Sequence, residues 1–333
     1  MLKIFTGIFL GLSITCCGSP DVFQQQASLG RGMNMGNCLE APTEGAWGVK
    51  IADEDFVRLK QAGFNSVRIP TKWSAHALKE APYTINPVFM ERVDHVVKAA
   101  LAQGLVVVLN LHHYSEMDQA PAEHRARFVA LWQQIAQHFA NFPEALQFEL
   151  FNEPNTKHTA AEWNLNLASA LKVVRQHHPE RAIHIGSVQW NQVQMLKDLK
   201  LPAEDRHIIV HIHYYSPFHF THQNAAWLKE SVAWAGTPWE GTDKEQQAVR
   251  RDFQIAADWA KQENRPVFLG EFGTCSGVAD MAARVRWTRF IAREAEKFNF
   301  TWAYWEYQAN FGIWDPKAQQ WREPLKAALL EAK

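Results

Sequence analysis

The amino-acid sequence predicts one α/β domain, an eight-stranded (β/α)8 barrel. Short apolar segments with strand character alternate with longer segments of helical periodicity along almost the whole chain. Polar residues follow nearly every predicted strand, as they do at the C-terminal ends of barrel strands, where barrel enzymes place their sites. The length of 333 residues is common for a single barrel.

The predicted elements follow each other in a regular order. Taking residues 29–37 as the first strand, we predict further strands at 63–70, 105–112, 145–151, 182–186, 207–213, 266–269 and 301–305. Helices are predicted at 53–62, 87–103, 122–139, 162–178, 244–263, 279–297 and 324–332. Asn86 followed by Pro87 is a typical helix start. The longest irregular segment, residues 214–243, follows the sixth strand, and such loops usually belong to the site.

The first residues have the pattern of an export signal. A basic start at Lys3 precedes a short apolar segment, residues 4–14, that is too brief to span a membrane. We therefore predict a signal peptide over residues 1–17, a short linker over 18–28 and a catalytic domain over 29–333. Cys16 or Cys17 after the apolar segment indicates a lipid anchor, and plain secretion is the alternative. Both place the protein outside the cytoplasm, in the cell envelope or secreted.

Composition restricts the function. The net charge of −1 and the pI of about 7.0 give no basic face for nucleic acid, and hydrophobic residues at 47% suffice for a large core. The 14 tryptophans are unusually many. Tryptophan stacks on the apolar faces of sugar rings, so Trp47, Trp73, Trp227, Trp239 and Trp305 are candidates for a long cleft, although about half of them are expected to be structural. We expect a monomer.

Two strand-end glutamates indicate the chemistry. Glu153 lies in Asn152-Glu153-Pro154 after the fourth strand, and Glu271 in Gly270-Glu271-Phe272-Gly273 after the seventh. Glycoside hydrolysis needs two such carboxyl groups, one protonated to serve the leaving oxygen and one ionised to attack or to activate water. The other strand-end candidates are Asn34, Asn37, Arg68, His112, His113, His213, Tyr215, Trp305 and Glu306. Glu306 is expected to face away, because neighbouring strand residues point to opposite sides.

These motifs resemble glycoside hydrolase family 5, the cellulase family of retaining (β/α)8 enzymes. The matching stretches occur in the family's order: residues 67–70, 109–114, 151–154, 213–218, 270–273 and 302–305. Residues 36–42 and 220–223 and Trp227 resemble the bacterial endoglucanases of the glucan- and mannan-cleaving subgroup. Cys38 and Thr274-Cys275 depart from the usual pattern, which bears on specificity and not on the chemistry.

The resemblance implies a role for each residue. Glu271 is the nucleophile, kept ionised by Arg68 and Tyr215. Glu153 is the acid/base, with a pKa raised by the Glu271 charge and by partial burial. Asn152 binds the sugar 2-hydroxyl, His112 and His213 orient these groups, and Trp305 forms the floor of the subsite at the scissile bond. Further sugar contacts are expected from Asn37, Glu40, His113, His222 and Trp227.

The implied activity is a retaining endo-β-1,4-glucanase that needs no metal or cofactor. Mannanase, glucomannanase and xyloglucanase activities on the same fold are the alternatives. Two other classes stay open from the residues alone. A metal-dependent barrel hydrolase would use His112, His113, His211 and His213, but its His-x-His pair usually lies on the first strand and not on the sixth. A non-catalytic sugar-binding lipoprotein would normally have lost one of the two carboxylates.

Overall fold

The computed structural model describes residues 20–278 and 280–331. Eight parallel strands form a closed barrel in sequence order, with β1 paired to both β2 and β8. The strands are β1 (Arg31–Asn34), β2 (Ser66–Ile69), β3 (Val106–Asn110), β4 (Leu146–Glu149), β5 (Ile183–Gly186), β6 (Ile208–His213), β7 (Val267–Glu271) and β8 (Thr301–Tyr304). The predicted (β/α)8 barrel is therefore confirmed. Short strands β9 (Trp314–Asp315) and β10 (Gln320–Trp321) form a separate hairpin.

Helices surround the barrel. They are α1 (Val22–Leu29), α2 (Asp53–Ala62), α3 (Pro87–Ala102), α4 (Ser115–Gln119), α5 (Pro121–His138), α6 (Ala160–His177), α7 (Val188–Asn191), α8 (Phe218–Thr221), α9 (Asp243–Glu263), α10 (Met281–Lys297) and α11 (Glu323–Leu330). Three 3₁₀ turns lie at Trp73–His76, Val193–Asp198 and Lys229–Trp234. None of the helices in the described part of the chain is both long and apolar enough to cross a membrane.

Helix bounds follow from capping chemistry. The Asn86 side chain accepts from the backbone N–H of Val88, and Pro87 occupies the first turn of α3, as predicted. Thr242 and Glu245 form a reciprocal capping box at the start of α9. The buried residues of α9 include Val249, Phe253 and Ala256, one apolar face that packs on the barrel.

The expectation of a linker over residues 18–28 is wrong for residues 22–28, which form most of helix α1. The Gln26 amide donates to the backbone carbonyl of Val267, the first residue of β7, at 2.9 Å. Leu29 is fully buried in a cluster that includes Val108 and Phe268. Helix α1 thus packs at the N-terminal ends of the strands, and the site lies at the opposite end. Residues 1–17, the predicted signal peptide, lie outside the described residues.

Candidate active site

Two glutamates come together at the C-terminal end of the barrel. Glu271 is the last residue of β7, and Glu153 follows β4. One oxygen of each carboxylate and one ring nitrogen of His213 all lie within 4.8 Å of one another. The side chain of Glu153 is 23% exposed and that of Glu271 only 6%. The more accessible of the two is therefore Glu153.

Arg68 on β2 is fully buried beneath the cleft and uses all of its side-chain donors. Nε and Nη2 donate to Glu149 at 2.5 and 2.7 Å, a bidentate pair. Nη1 donates to Glu271 Oε1 at 2.6 Å and to Asn34 Oδ1 at 2.8 Å, and Nη2 also donates to Asn152 Oδ1 at 2.6 Å. One guanidinium thus joins strands β1, β2, β4 and β7 and fixes both a carboxylate and an amide of the site.

Tyr215 holds the second oxygen of Glu271. Its hydroxyl donates to Glu271 Oε2 at 2.9 Å. The backbone carbonyl of Tyr215 accepts from Thr221 Oγ1 at 2.7 Å, which ties the segment after β6 in place. Each oxygen of Glu271 therefore accepts a hydrogen bond, and such bonds favour the ionised form.

His213 joins Glu153 to the barrel interior. Its Nδ1 lies 2.6 Å from Glu153 Oε1 and 3.6 Å from Glu271 Oε2. Its Nε2 lies 2.7 Å from Nε2 of His211. Both histidines belong to β6 and point to the same side of the strand, as a spacing of two residues requires.

The environment separates the protonation states of these groups. Burial raises the pKa of Glu153 to about 7, against the opposing effects of Arg68 and His211. The largest cause is burial, whereas the sequence had suggested the Glu271 charge as well. Burial also raises the pKa of Glu271, although His213 and Arg68 oppose the rise. Burial lowers the pKa of His213 to about 3, which makes that ring neutral near pH 7.

Aromatic rings form one wall of the cleft. The ring of Trp305 is parallel to the ring of His112, with centroids 5.5 Å apart. His113 meets the edge of His112 at 4.6 Å and of Trp47 at 6.0 Å. His112 Nδ1 lies 3.0 Å from the amide nitrogen of Asn110, which fixes its orientation. Trp47 is 45% exposed, so its ring face is available to a ligand.

Asn37, Glu40, His222 and Trp227 also line the cleft. Glu40 is buried and accepts from the backbone N–H groups of Asn37 and Cys38. Burial raises the pKa of Glu40 to about 8 despite these bonds. His222 Nδ1 lies 2.9 Å from Thr221 Oγ1, and its ring meets that of Trp227 edge-on at 6.2 Å. Trp227 is 55% exposed.

Comparison with known proteins identifies the family. The family model described as Cellulase (glycosyl hydrolase family 5) matches residues 26–311. The chain belongs to this cellulase family.

Individual relatives agree with this membership. The chain is 36% identical over 286 residues to Endoglucanase H of Acetivibrio thermocellus, covering 86% of the chain and 30% of that relative. It is 44% identical to the endoglucanase Cel5A of the hyperthermophile Thermotoga maritima, with a TM-score of 0.91 over 93% of the chain and 100% of the solved chain. Cel5A structures with cellobiose and with mannotriose match equally well. The chain spans about a third of the length of the first two curated relatives, Endoglucanase H (30%) and Cellulase/esterase CelE of the same species (35%).

The sequence-predicted site residues of this family-5 chain come together in one cleft of about 1260 Å³. Its lining includes Asn37, Glu40, His112, His113, Asn152, Glu153, His213, Tyr215, His222, Trp227, Glu271 and Trp305. Arg68 lies directly beneath. Glu306 is fully buried and accepts backbone N–H groups at Gln308, Ala309 and Phe311, so it faces away from the cleft as predicted.

Of the five candidate tryptophans, Trp73 and Trp239 are buried and belong to the structure, whereas Trp47, Trp227 and Trp305 line the cleft. Two exposed aromatic residues of the cleft were missed: Trp190, 49% exposed after β5, and Phe218, 46% exposed after β6. The signal for Trp190 was its place just after a predicted strand.

A layer of polar residues below the cleft was also missed. Glu149 is fully buried at the end of β4, where it accepts from Arg68 and, at 3.0 Å, from Asn110. Asn34 ends β1 and was noted in the sequence, but its role as acceptor from Arg68 appears only in the structure. A glutamate inside an apolar strand was the available signal for Glu149.

In the part of the chain that the structure describes, the four histidines of the rival hypothesis do not come together as one set of ligands. The nitrogens of His211 and His213 contact each other, and His112 contacts Asn110. Within residues 20–278 and 280–331, the one group with ligand atoms close enough for an ion is Glu153, His213 and Glu271. Glu271 accepts from Arg68 and Tyr215, and Glu153 Oε1 and His213 Nδ1 contact each other.

Proposed function

We propose that the chain is a retaining endo-β-1,4-glucanase. The observation that carries the proposal is the pair Glu153 and Glu271, whose carboxylate oxygens lie within 4.8 Å of each other. Carboxyl groups about 5–5.5 Å apart suit a direct attack on the sugar, whereas about 6.5–9.5 Å is needed to place a water between acid and base. The close spacing supports a double displacement.

In the first step, Glu271 attacks the anomeric carbon and Glu153 gives its proton to the glycosidic oxygen. The bond between sugar and leaving group breaks, and a glycosyl-Glu271 ester forms. In the second step, Glu153 takes a proton from water, which attacks the same carbon and releases Glu271. The raised pKa of Glu153, about 7, supports its role as the acid. The donors on both oxygens of Glu271 support its role as the nucleophile.

The supporting residues follow from their contacts. Because Arg68 occupies the Asn152 oxygen, the amide NH₂ of Asn152 is left to donate to a sugar hydroxyl, which supports contact with the 2-hydroxyl. His213 orients Glu153 through a 2.6 Å contact. Trp305, stacked on His112, offers a flat surface for the sugar at the scissile bond.

The shape of the cleft supports attack inside a chain. Its volume of about 1260 Å³ exceeds the roughly 300–1,000 Å³ of a small-molecule pocket. Trp47, Trp190, Phe218 and Trp227 are 45–55% exposed along it and suit a row of flat, equatorially substituted sugars. The relatives named as endoglucanases support glucan as the substrate.

Mannan or glucomannan is the second candidate. The observation in its favour is the similarity to Cel5A, which has been solved with mannotriose as well as with cellobiose. A panel of mixed-linkage β-glucan, carboxymethylcellulose, glucomannan, mannan and xyloglucan tests the choice. We expect rapid loss of viscosity and a range of oligosaccharides from the soluble β-1,4-glucans. Untouched glucans beside rapidly cut mannan would refute the substrate proposal and leave the mechanism intact.

We further propose that the protein is exported, on the sequence pattern of residues 1–17 alone, and that it acts as a monomer. Replacing both Cys16 and Cys17 by serine should release a lipid-anchored form into the soluble exported fraction. A protein with intact Met1 in the cytoplasm of its native host would refute export.

A further inference from the structure

A line of polar side chains in contact runs from the cleft into the barrel. It begins at Glu153, passes through His213 and His211, and ends at Glu149. The first two contacts, of 2.6 Å and 2.7 Å, are hydrogen bonds. The last, 3.4 Å between His211 Nδ1 and Glu149 Oε2, is an electrostatic contact, and Nδ1 makes no hydrogen bond to any described residue. His211 and Glu149 are fully buried, so water does not compete at that end. The resemblance that suggested the other roles gave none to His211.

The ionised state of Glu149 fixes the inner end of the line. Arg68 makes a bidentate pair with Glu149, and Asn110 donates a third bond. Burial acts to raise the pKa of Glu149, but the Arg68 charge holds it well below its usual range. A carboxylate without water attracts an N–H and repels a nitrogen lone pair, and the low dielectric strengthens both effects. The proton of a neutral His211 therefore belongs on Nδ1, towards Glu149.

The remaining protons follow in order. With its proton on Nδ1, His211 has a bare Nε2 and accepts from Nε2–H of His213. His213 is neutral, because burial lowers its pKa to about 3, so its Nδ1 is bare as well. The 2.6 Å contact between that nitrogen and Glu153 then needs a proton from the carboxyl group. This is the form of Glu153 that a general acid requires.

We propose that His211 is a positioning residue that sets the tautomer of His213 and thereby holds the proton on Glu153. The proposal rests on the proposed function, in which Glu153 is the acid. With the protons in the opposite order, His213 would carry its proton on Nδ1, between Glu153 and Glu271, and Glu271 lies 3.6 Å away. His211 would then turn the lone pair of its Nδ1 towards buried Glu149. The inner contact prevails because Glu149 is fully buried whereas Glu153 is 23% exposed.

Space for His211 is built into the neighbouring strand. A Cβ atom at Gly270 on β7 would lie 1.9 Å from His211 Nε2. The charged and titratable groups around His211 are Glu149 from β4, Arg68 from β2, His184 from β5, His213 and Glu153. The ring centroids of His184 and His211 are 6.3 Å apart. Arg68 and His184 make no contact with its nitrogens among the described hydrogen bonds.

Nitrogen NMR of the full-length protein with labelled imidazoles tests the proposal directly. Spectra of His211→Phe and His213→Phe assign the signals. We expect bare Nδ1 and protonated Nε2 in His213, and the reverse in His211, at a pH below 7. A proton on Nδ1 of His213 in the free enzyme would overturn the proposal. The protonation states are read from the wild-type spectrum, and the variants serve only to show which signals disappear.

Kinetics provide the second test. In His211→Phe, the alkaline limb of the kcat/KM profile on β-glucan should move to lower pH by about one unit, while the glycosylation rate with an aryl glycoside of good leaving group changes less than threefold. The matched control is His184→Phe. His184 is a buried histidine that hydrogen-bonds Gln147 and lies outside the line. The alkaline limb of this variant should stay at the wild-type pH. An unmoved limb in His211→Phe would overturn the proposal. If Glu153→Ala retains the alkaline limb of the kcat/KM profile, Glu153 is not the group that titrates there, and the proposed function fails instead.

Discussion

Arg68 Nη1 lies 2.6 Å from Glu271 Oε1, and the same guanidinium makes a bidentate pair with Glu149. All three side chains are at most 6% exposed. The residue that binds the nucleophile is therefore also the counter-ion of a buried structural carboxylate. Its loss must affect both catalysis and folding.

Arg68→Met should destabilise the fold by about 3–5 kcal/mol, because it leaves the buried Glu149 carboxylate without its partner. The double variant Arg68→Met, Glu149→Met should regain part of that stability, because Glu149 is then no longer a buried unpaired charge, although Glu271 still lacks its cation. Urea unfolding measures both free energies. Equal losses in the single and double variants would contradict the paired role of Arg68 and Glu149.

Glu153→Ala and Glu271→Ala should both nearly abolish the cleavage of polysaccharide but differ on an aryl glycoside with a good leaving group. Such a leaving group needs no proton, so Glu153→Ala should keep its first step, and added azide should yield a glycosyl azide. Glu271→Ala should not react by the retaining route. Stopped-flow release of the aryl group distinguishes them, and identical behaviour would mean that the roles are misassigned.

The pH dependence should follow the protonation of Glu153. Because its pKa is raised to about 7 and the protonated form is active, kcat/KM on β-glucan should fall about tenfold per pH unit above that value. At lower pH, activity should fall as Glu271, whose pKa is also raised, takes up a proton. A kcat/KM that stays constant from pH 6 to about 9 would contradict this assignment.

Trp305→Ala should lower kcat/KM on β-glucan by at least about tenfold, or about 1.4 kcal/mol, and by more than Trp47→Ala. Trp305 stacks directly on His112, where contacts contribute to the transition state. Trp47 contacts His113 instead, the ring on the edge of His112. Buried Trp239, changed to Phe, is the control and should affect stability without a comparable loss of activity. Equal losses in Trp305→Ala and Trp47→Ala would argue against the assigned subsite.

The fold could be predicted well from the sequence because its signals are local. Helix α2 has the predicted bounds, Asp53–Ala62, set by acidic residues in the first turn and by Gly63 at its end. Helix α1 was missed because its sequence is rich in glutamine and only weakly periodic. Gln25 and Gln26 are buried there, and their amides bond to backbone carbonyls far along the chain, which no local pattern reveals.

The site was predictable where residues follow strands in recognisable motifs, as at Glu153 and Glu271. The role of Glu149 could not be predicted, because it depends on Arg68 from another strand. The sequence does not show which strands face each other across the barrel. The spacing of two residues indicates that His211 and His213 face the same way. That His211 lies against Glu149 of another strand is visible only in the structure. Side-chain contacts across the barrel therefore could not be predicted from the sequence.

Double displacement by Glu153 and Glu271 fixes the configuration of the first product, which proton NMR of its anomeric signals records. A β-1,4-gluco-oligosaccharide is mixed with the enzyme, and the anomeric signals are recorded before mutarotation proceeds. With attack by Glu271, the β-anomer should appear first and the α-anomer only later. Initial release of the α-anomer would show inversion and would contradict the attack by Glu271.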